Sequence, residues 1–166
     1  MQELKRAALM LGLCAGSEEL YLGLRGLRTI AVRLKQHQLH AMEVAEWIKT
    51  MPEVKRVLYP ALPTDPGHAI WKRDMTGASG LFGVELTTVT EEALGAMLDE
   101  LRYFGMGFSW GGYESLIIAY QPHKMRKVTT WDKNATLLRL HIGLEAPKDL
   151  IADLDAGFAR FRKALA

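Results

Sequence analysis

Cysteine is almost missing from this 166-residue chain, in which Cys14 stands alone. A single thiol cannot close an internal disulfide, so nothing argues for an oxidising compartment and the cytoplasm is the expected setting. Long hydrophobic runs are missing as well. No stretch approaches the roughly 20 apolar residues that a bilayer-spanning helix needs, so no membrane partner is expected. Neither sign of charge dominates: 21 Lys plus Arg stand against 19 Asp plus Glu, a net charge of +2, and basic residues never run beyond two in a row. That balance argues against nucleic acid as a partner. Low-complexity tracts and internal repeats are also absent, and 49% hydrophobic with 24% charged residues describes a globular chain rather than a disordered one.

What is there begins with an ambiguous N-terminus. Lys5-Arg6, the run from Ala7 to Leu13, and Cys14 imitate a short secretion signal. Leu13 is too large to precede a lipoprotein cysteine, and the run is short and leads into Ser17-Glu18-Glu19. The segment reads better as exposed or partner-covered. Ser17 then opens the longest helical pattern, with Leu20, Leu24, Leu27, Ala31 and Leu34 on one stripe that resumes at Ala41, Val44, Ala45 and Ile48. Pro52 ends it, and Gly23 and Gly26 predict a late start or a bend near Arg25.

Alternation follows. Strands are predicted over Val54–Tyr59, Ser79–Leu86, Ser115–Tyr120 and Thr136–Ile142. Helices are predicted after a Thr90 cap and from Pro147 to Leu165, the last turning Leu150, Leu154, Phe158, Phe161 and Leu165 inward. The fold class is α+β: a small, mainly antiparallel sheet covered on one face by helices and preceded by a long connecting helix.

Candidate chemistry is sparse. His37 and His40 have helical ligand spacing, but no carboxylate or cysteine completes a zinc pattern, so surface or interface histidines are expected and no metal. The glycines from Gly105 to Gly112 lack the strand–GxGxxG–helix order of a phosphate loop. Two segments are more informative. Gly107-Phe108-Ser109-Trp110-Gly111-Gly112-Tyr113-Glu114-Ser115 is either a tight turn around a core tryptophan or a place where backbone amides approach a ligand. Arg139 lies inside an apolar strand and needs an anionic partner, either Glu145 or Glu114 or the carboxylate of a substrate.

Those segments carry a resemblance. Ser109-Trp110-Gly111-Gly112-Tyr113-Glu114-Ser115 and Arg139-Leu140-His141-Ile142-Gly143-Leu144-Glu145 resemble the C-terminal signatures of the Cys/Met-metabolism family of pyridoxal-phosphate (PLP) enzymes. Leu24-Arg25-Gly26-Leu27-Arg28-Thr29, Leu58-Tyr59-Pro60-Ala61-Leu62-Pro63, Gly67-His68 and Gly77-Ala78-Ser79-Gly80-Leu81-Phe82 agree in order and spacing, so the resemblance covers nearly the whole chain. It implies the C-terminal domain of that fold, with residues 1–50 as the N-terminal segment and connecting helix, residues 51–166 as the domain itself, and the large PLP-binding domain absent.

The resemblance also implies roles. Arg139 would grip the substrate α-carboxylate, Ser109 and the backbone at Trp110 would complete that site, and the Trp110 ring would border the leaving group. Trp110 points to the β-lyase branch, which cleaves cystathionine to homocysteine, pyruvate and ammonia in methionine biosynthesis. The γ-lyases and γ-synthases usually carry an aliphatic residue there. No catalytic, cofactor-binding or metal residue is expected in this chain. The family's Schiff-base lysine sits in a Ser-x-Thr-Lys setting that none of the ten lysines matches, so PLP chemistry should not run on this chain alone. Arg25 and Arg28 are expected in structural ion pairs, and Tyr113 and Glu114 in shaping the turn. Expected partners are the large PLP domain, further copies in a homo-oligomer (tetrameric in the family) and a small amino-acid thioether. The alternatives are a freestanding, non-catalytic subunit-binding module, or the same domain of a γ-lyase or γ-synthase.

Overall fold

The computed structural model describes residues 1–87, 89–108 and 111–166, and it divides into two units, Met1–Val32 and Arg33–Ala166. The first holds α1 (Gln2–Met10) and α2 (Ser17–Arg28), neither of which buries any residue. Gly16, not Ser17, occupies the cap position of α2, and no side chain bonds there, so the expected Ser17 cap is corrected. Glu18 and Glu19 still lie in the first turn and Arg25 and Arg28 in the last, complementing the helix dipole.

The long helical pattern is two helices, with α3 (Ile30–Ile48) starting after a break at Thr29. The glycines do not cause that break, because α2 runs through both Gly23 and Gly26. Thr29 makes it: its hydroxyl and amide both donate to the Gly26 carbonyl, a side-chain bond that competes with helix continuation. The apolar stripe is divided with it. Ala41, Val44, Ala45 and Ile48 are fully buried, whereas Leu20, Leu24 and Leu27 are exposed.

The second unit is built on a five-stranded sheet: β1 (Val54–Leu58), β2 (Leu81–Leu86), β3 (Phe104–Met106), β4 (Ser115–Tyr120) and β5 (Leu137–His141). The strand order is β1-β2-β5-β4-β3. The three pairings β1/β2, β2/β5 and β5/β4 are antiparallel, and β3/β4 is parallel. The short parallel strand β3 escaped the sequence reading, as did α1, α4 (His68–Asp74) and α6 (Pro122–Met125).

Helices α5 (Glu91–Leu98) and α7 (Pro147–Leu165) pack against each other, and Gly157 allows the approach, since a Cβ there would lie 3.2 Å from the Met97 carbonyl oxygen. The Thr90 hydroxyl accepts from the Ala93 amide (3.1 Å), the expected cap. Leu150, Leu154, Phe158 and Phe161 are fully buried at spacings of three and four, as expected, but Leu165 is 38% exposed because the helix outruns the core. Phe82, Val84, Ile117, Leu138, Leu140 and Ile142 belong to the same core.

A buried acid on α7 fixes the link between α5 and β3. The Asp153 carboxylate accepts from the amides of Arg102 (2.9 Å) and Tyr103 (2.8 Å). Replacing Asp153 with Ala strands two donors and should cost about 1–3 kcal/mol in urea unfolding, while Asp153→Asn, which keeps an acceptor, should cost less. Equal losses for the two variants would refute this role.

Candidate functional site

β5 is the middle strand, and its alternation places successive side chains on opposite faces. Leu138 and Leu140 enter the core, so Leu137, Arg139 and His141 share the other face. Arg139 is half-buried there, opposite Gly83 on β2 and Ile118 on β4. With Phe108, Ile118, Tyr120, Met125 and Arg126 it lines a cavity of about 510 Å3. Among the described residues the lining carries two guanidinium groups and no carboxylate, between apolar walls. Such a cavity suits a small anion with an apolar body, held in two parallel hydrogen bonds by an arginine fork. The chemistry that these described residues offer is binding and orientation.

Ser109 and Trp110 lie outside the described residues. The segment that follows them is fastened to the end of β5. His141 Nε2 donates to the Gly112 carbonyl (3.1 Å), and the Leu144 amide donates to the Tyr113 carbonyl (2.8 Å). The Ser115 amide and hydroxyl each donate to Glu145 at 2.8 Å, and the Gly143 amide donates to the Ser115 Oγ at 2.8 Å. Two glycines make this approach possible. A Cβ on Gly111 would lie 2.2 Å from the His141 ring, and one on Gly143 would lie 2.3 Å from the Tyr113 oxygen. Glu145, weighed above as an ion-pair partner of Arg139, gives both oxygens to Ser115. Tyr113 and Glu114 have exposed side chains.

The histidines of α3 serve the same end of β5. His37 Nδ1 donates to the Ile142 carbonyl (2.8 Å) and His40 Nδ1 to the Gly143 carbonyl (3.3 Å). No local pattern signals this reach, which spans more than a hundred residues. His141 was within reach of sequence reasoning, since two residues from Arg139 along a strand means the same face. Among the described residues no three His, Cys, Asp or Glu side chains come together as a metal site, and no helix is long and apolar enough to cross a membrane.

Among the described residues, the lining of the cavity offers PLP no lysine. All ten lysines are exposed and none lines the cavity, so no side chain there can hold the cofactor as a Schiff base.

The comparisons with known proteins accord with this geometry. Residues 1–159 match the family described as Cys/Met metabolism PLP-dependent enzyme. A cystathionine beta-lyase of Salmonella typhimurium is 50% identical over 96% of this chain, and an L-alanine/L-glutamate racemase of Wolbachia pipientis is 45% identical over 90%. The crystal structure of a cystathionine gamma synthase from Xanthomonas oryzae, in complex with aminoacrylate and cysteine, superposes with a TM-score of 0.80 at 37% identity, covering 98% of this chain. The chain spans 41% of the Salmonella enzyme's length, 38% of the racemase's and 43% of the Xanthomonas chain's. This chain belongs to the Cys/Met metabolism family of PLP-dependent enzymes.

His141 gives the site frame a pH dependence. Burial is the largest influence and holds its pKa below the ordinary 6.5; the Gly112 carbonyl opposes this, His37 adds to it, Glu145 opposes it and Arg139 adds to it. The folded state therefore disfavours the protonated ring. Its contribution is complete above about pH 6.5 and is lost as pH falls through the depressed folded value. Urea midpoints from about pH 7 down to about pH 5 should fall more steeply for the native chain than for His141→Gln, which carries no ionisable group there. Parallel pH profiles would contradict the assignment.

Proposed function

We propose that this chain is the substrate-carboxylate-binding part of a PLP-dependent carbon–sulfur lyase that cleaves cystathionine, with water, to homocysteine, pyruvate and ammonia. The observation that carries the reading is Arg139: a half-buried guanidinium on the middle strand, lining a cavity with apolar walls. In this role Arg139 clamps the α-carboxylate, Ser109 and the backbone at Trp110 complete the clamp, and the Trp110 ring borders the departing thiolate. Holding the carboxylate fixes the orientation of the α-carbon, a positioning contribution to the rate. The substrates named for the β-lyase and the racemase are amino acids that share an α-carboxylate, and that common demand supports the assignment.

Preference for a β-lyase over a γ-synthase rests on Trp110 and on 50% identity to the Salmonella enzyme against 37% to the Xanthomonas one. The PLP lysine and the base that takes the α-proton come, in this reading, from the part of the enzyme that this chain does not match, and the chain alone is inactive. That part and further copies of the chain are its partners, in the cytoplasm, where the exposed Cys14 thiol stays reduced. The exposed leucines of α1 and α2 favour such partners over a freestanding module.

The test combines this chain with the remaining portion of a cystathionine beta-lyase and follows pyruvate. Pyruvate should form only from the combination. Arg139→Lys, which replaces a two-bond fork by a point charge, should raise KM roughly 10- to 100-fold with a smaller effect on kcat. Cleavage by this chain alone, or an unchanged kcat/KM in the variant, would overturn the reading.

A further inference from the structure

Arg126 is the second guanidinium of the Arg139 cavity, and carboxylate binding by Arg139 leaves it without a use. Arg139 stands on the middle strand with Ile118 opposite it on β4, and Tyr120, two residues further along β4, shares the face of Ile118. From Tyr120 the chain passes through Gln121 into the single turn of α6. Arg126 ends that turn, its amide donating to the Pro122 carbonyl at 2.8 Å. Arg139 is half-buried and Arg126 is exposed, so the cavity has an inner and an outer cation.

Charge around the outer cation has one sign. From Gln121 to Trp131 the chain carries Lys124, Arg126 and Lys127 and no acidic residue. The stretch is tied at both ends, by Pro122, which is buried, and by Trp131, whose ring centroid lies 5.2 Å from the Arg56 guanidinium. A guanidinium stays charged at any working pH, so two of them on one apolar-walled cavity repel each other until anions enter. A ligand with one carboxylate answers only one of them.

We propose that Arg126 is a specificity-determining residue of this cavity, holding a second carboxylate at the far end of a substrate whose α-carboxylate Arg139 grips. The inference deepens the proposed function and rests on the reading of Arg139 as the clamp. The ligand class is an amino acid with an anionic group on its side chain, and cystathionine, with a carboxylate at each end, belongs to it. The cavity of about 510 Å3 lies within the roughly 300–1,000 Å3 of small-molecule pockets. Ile118, Tyr120 and Met125 in its lining receive the apolar body between the two anionic ends.

The experiment titrates the whole chain at neutral pH with butyrate and with succinate, glutarate and adipate, which add a second carboxylate at increasing reach. The side-chain Nε resonances of Arg126 and Arg139 are followed separately by NMR, and thermal unfolding is recorded for each protein. At least one diacid should bind about fivefold more tightly than butyrate, the modest gain expected of a cation that faces water. That diacid should shift both resonances, whereas butyrate shifts mainly that of Arg139. Arg126→Gln should weaken the diacid about fivefold and butyrate far less. Arg126→Lys, which keeps the charge without the fork, should retain part of the diacid preference. Both variants should melt with the native chain, since the side chain is exposed.

A native chain that prefers no diacid to butyrate, a preference that survives Arg126→Gln, or equal losses of diacid and butyrate in that variant overturns the proposal and leaves the Arg139 reading intact. If the Arg139 resonance of the native chain responds to no carboxylate, the clamp reading itself fails, and the role of Arg126 falls with it.

Discussion

Everything about the site depends on the register of β5. Leu138, Leu140 and Ile142 are all fully buried, and each contributes roughly 1.5–3 kcal/mol by leaving water. A slip of one residue would bring all three out and drive Arg139 and His141 into the core, where an uncompensated guanidinium is far more costly than the apolar contacts are worth. The same three side chains that hold the domain together therefore decide which face of the sheet carries the cation. β5 pairs on both sides, with β2 and with β4, so the register is set twice. Arg139 needs no special device to reach its place, because the core puts it there.

The segment from Gly111 to Ser115 is held in the opposite way, by polar contacts instead of apolar burial. The polar contacts described above tie it to residues from His141 to Glu145, at and just beyond the end of the strand whose register is fixed so firmly. Gly111 and Gly143 let the two stretches come closer than any side chain would permit. Glu145 is satisfied by both donors of Ser115. Precision is passed from the core to β5 and from β5 to the segment. The α3 histidines brace that junction from behind, through the carbonyls of Ile142 and Gly143.

Much of this was legible in the sequence, and the parts that were not share a cause. β4 and α7 appear with the bounds that alternation and a first-turn proline imply, and the Thr90 cap is made by the expected hydroxyl. Periodicity reads such elements because each has one buried face. β3 has three residues and pairs in parallel at the sheet edge, too short for any period to show. The Ser17 cap failed because Gly16 takes that position. Arg139 was found because a cation in an apolar strand is anomalous. Arg126 was missed because nothing local marks a residue as lining a cavity formed by distant segments. The roles of His37 and His40 were out of reach for the same reason, since their partners are backbone carbonyls that any sequence would supply.

The two parts of the long apolar pattern show how far periodicity can be trusted. From Ala41 to Ile48 the stripe is fully buried, while Leu20, Leu24 and Leu27, at the same spacing, are 58%, 59% and 64% exposed. One rule produced both, so the pattern reports that a face is suited to apolar contact and says nothing about what supplies the contact. Isolated exposed leucines are ordinary on a protein surface, but a helix of twelve residues that buries none of them is not. In a chain spanning about two fifths of its relatives' length, that face is where the proposed reading places the rest of the enzyme. On the proposed reading, the carboxylate clamp and the exposed helix make a single argument: Arg139 would orient a substrate, and the groups that transform it would be joined to the chain through the apolar surface that α2 presents.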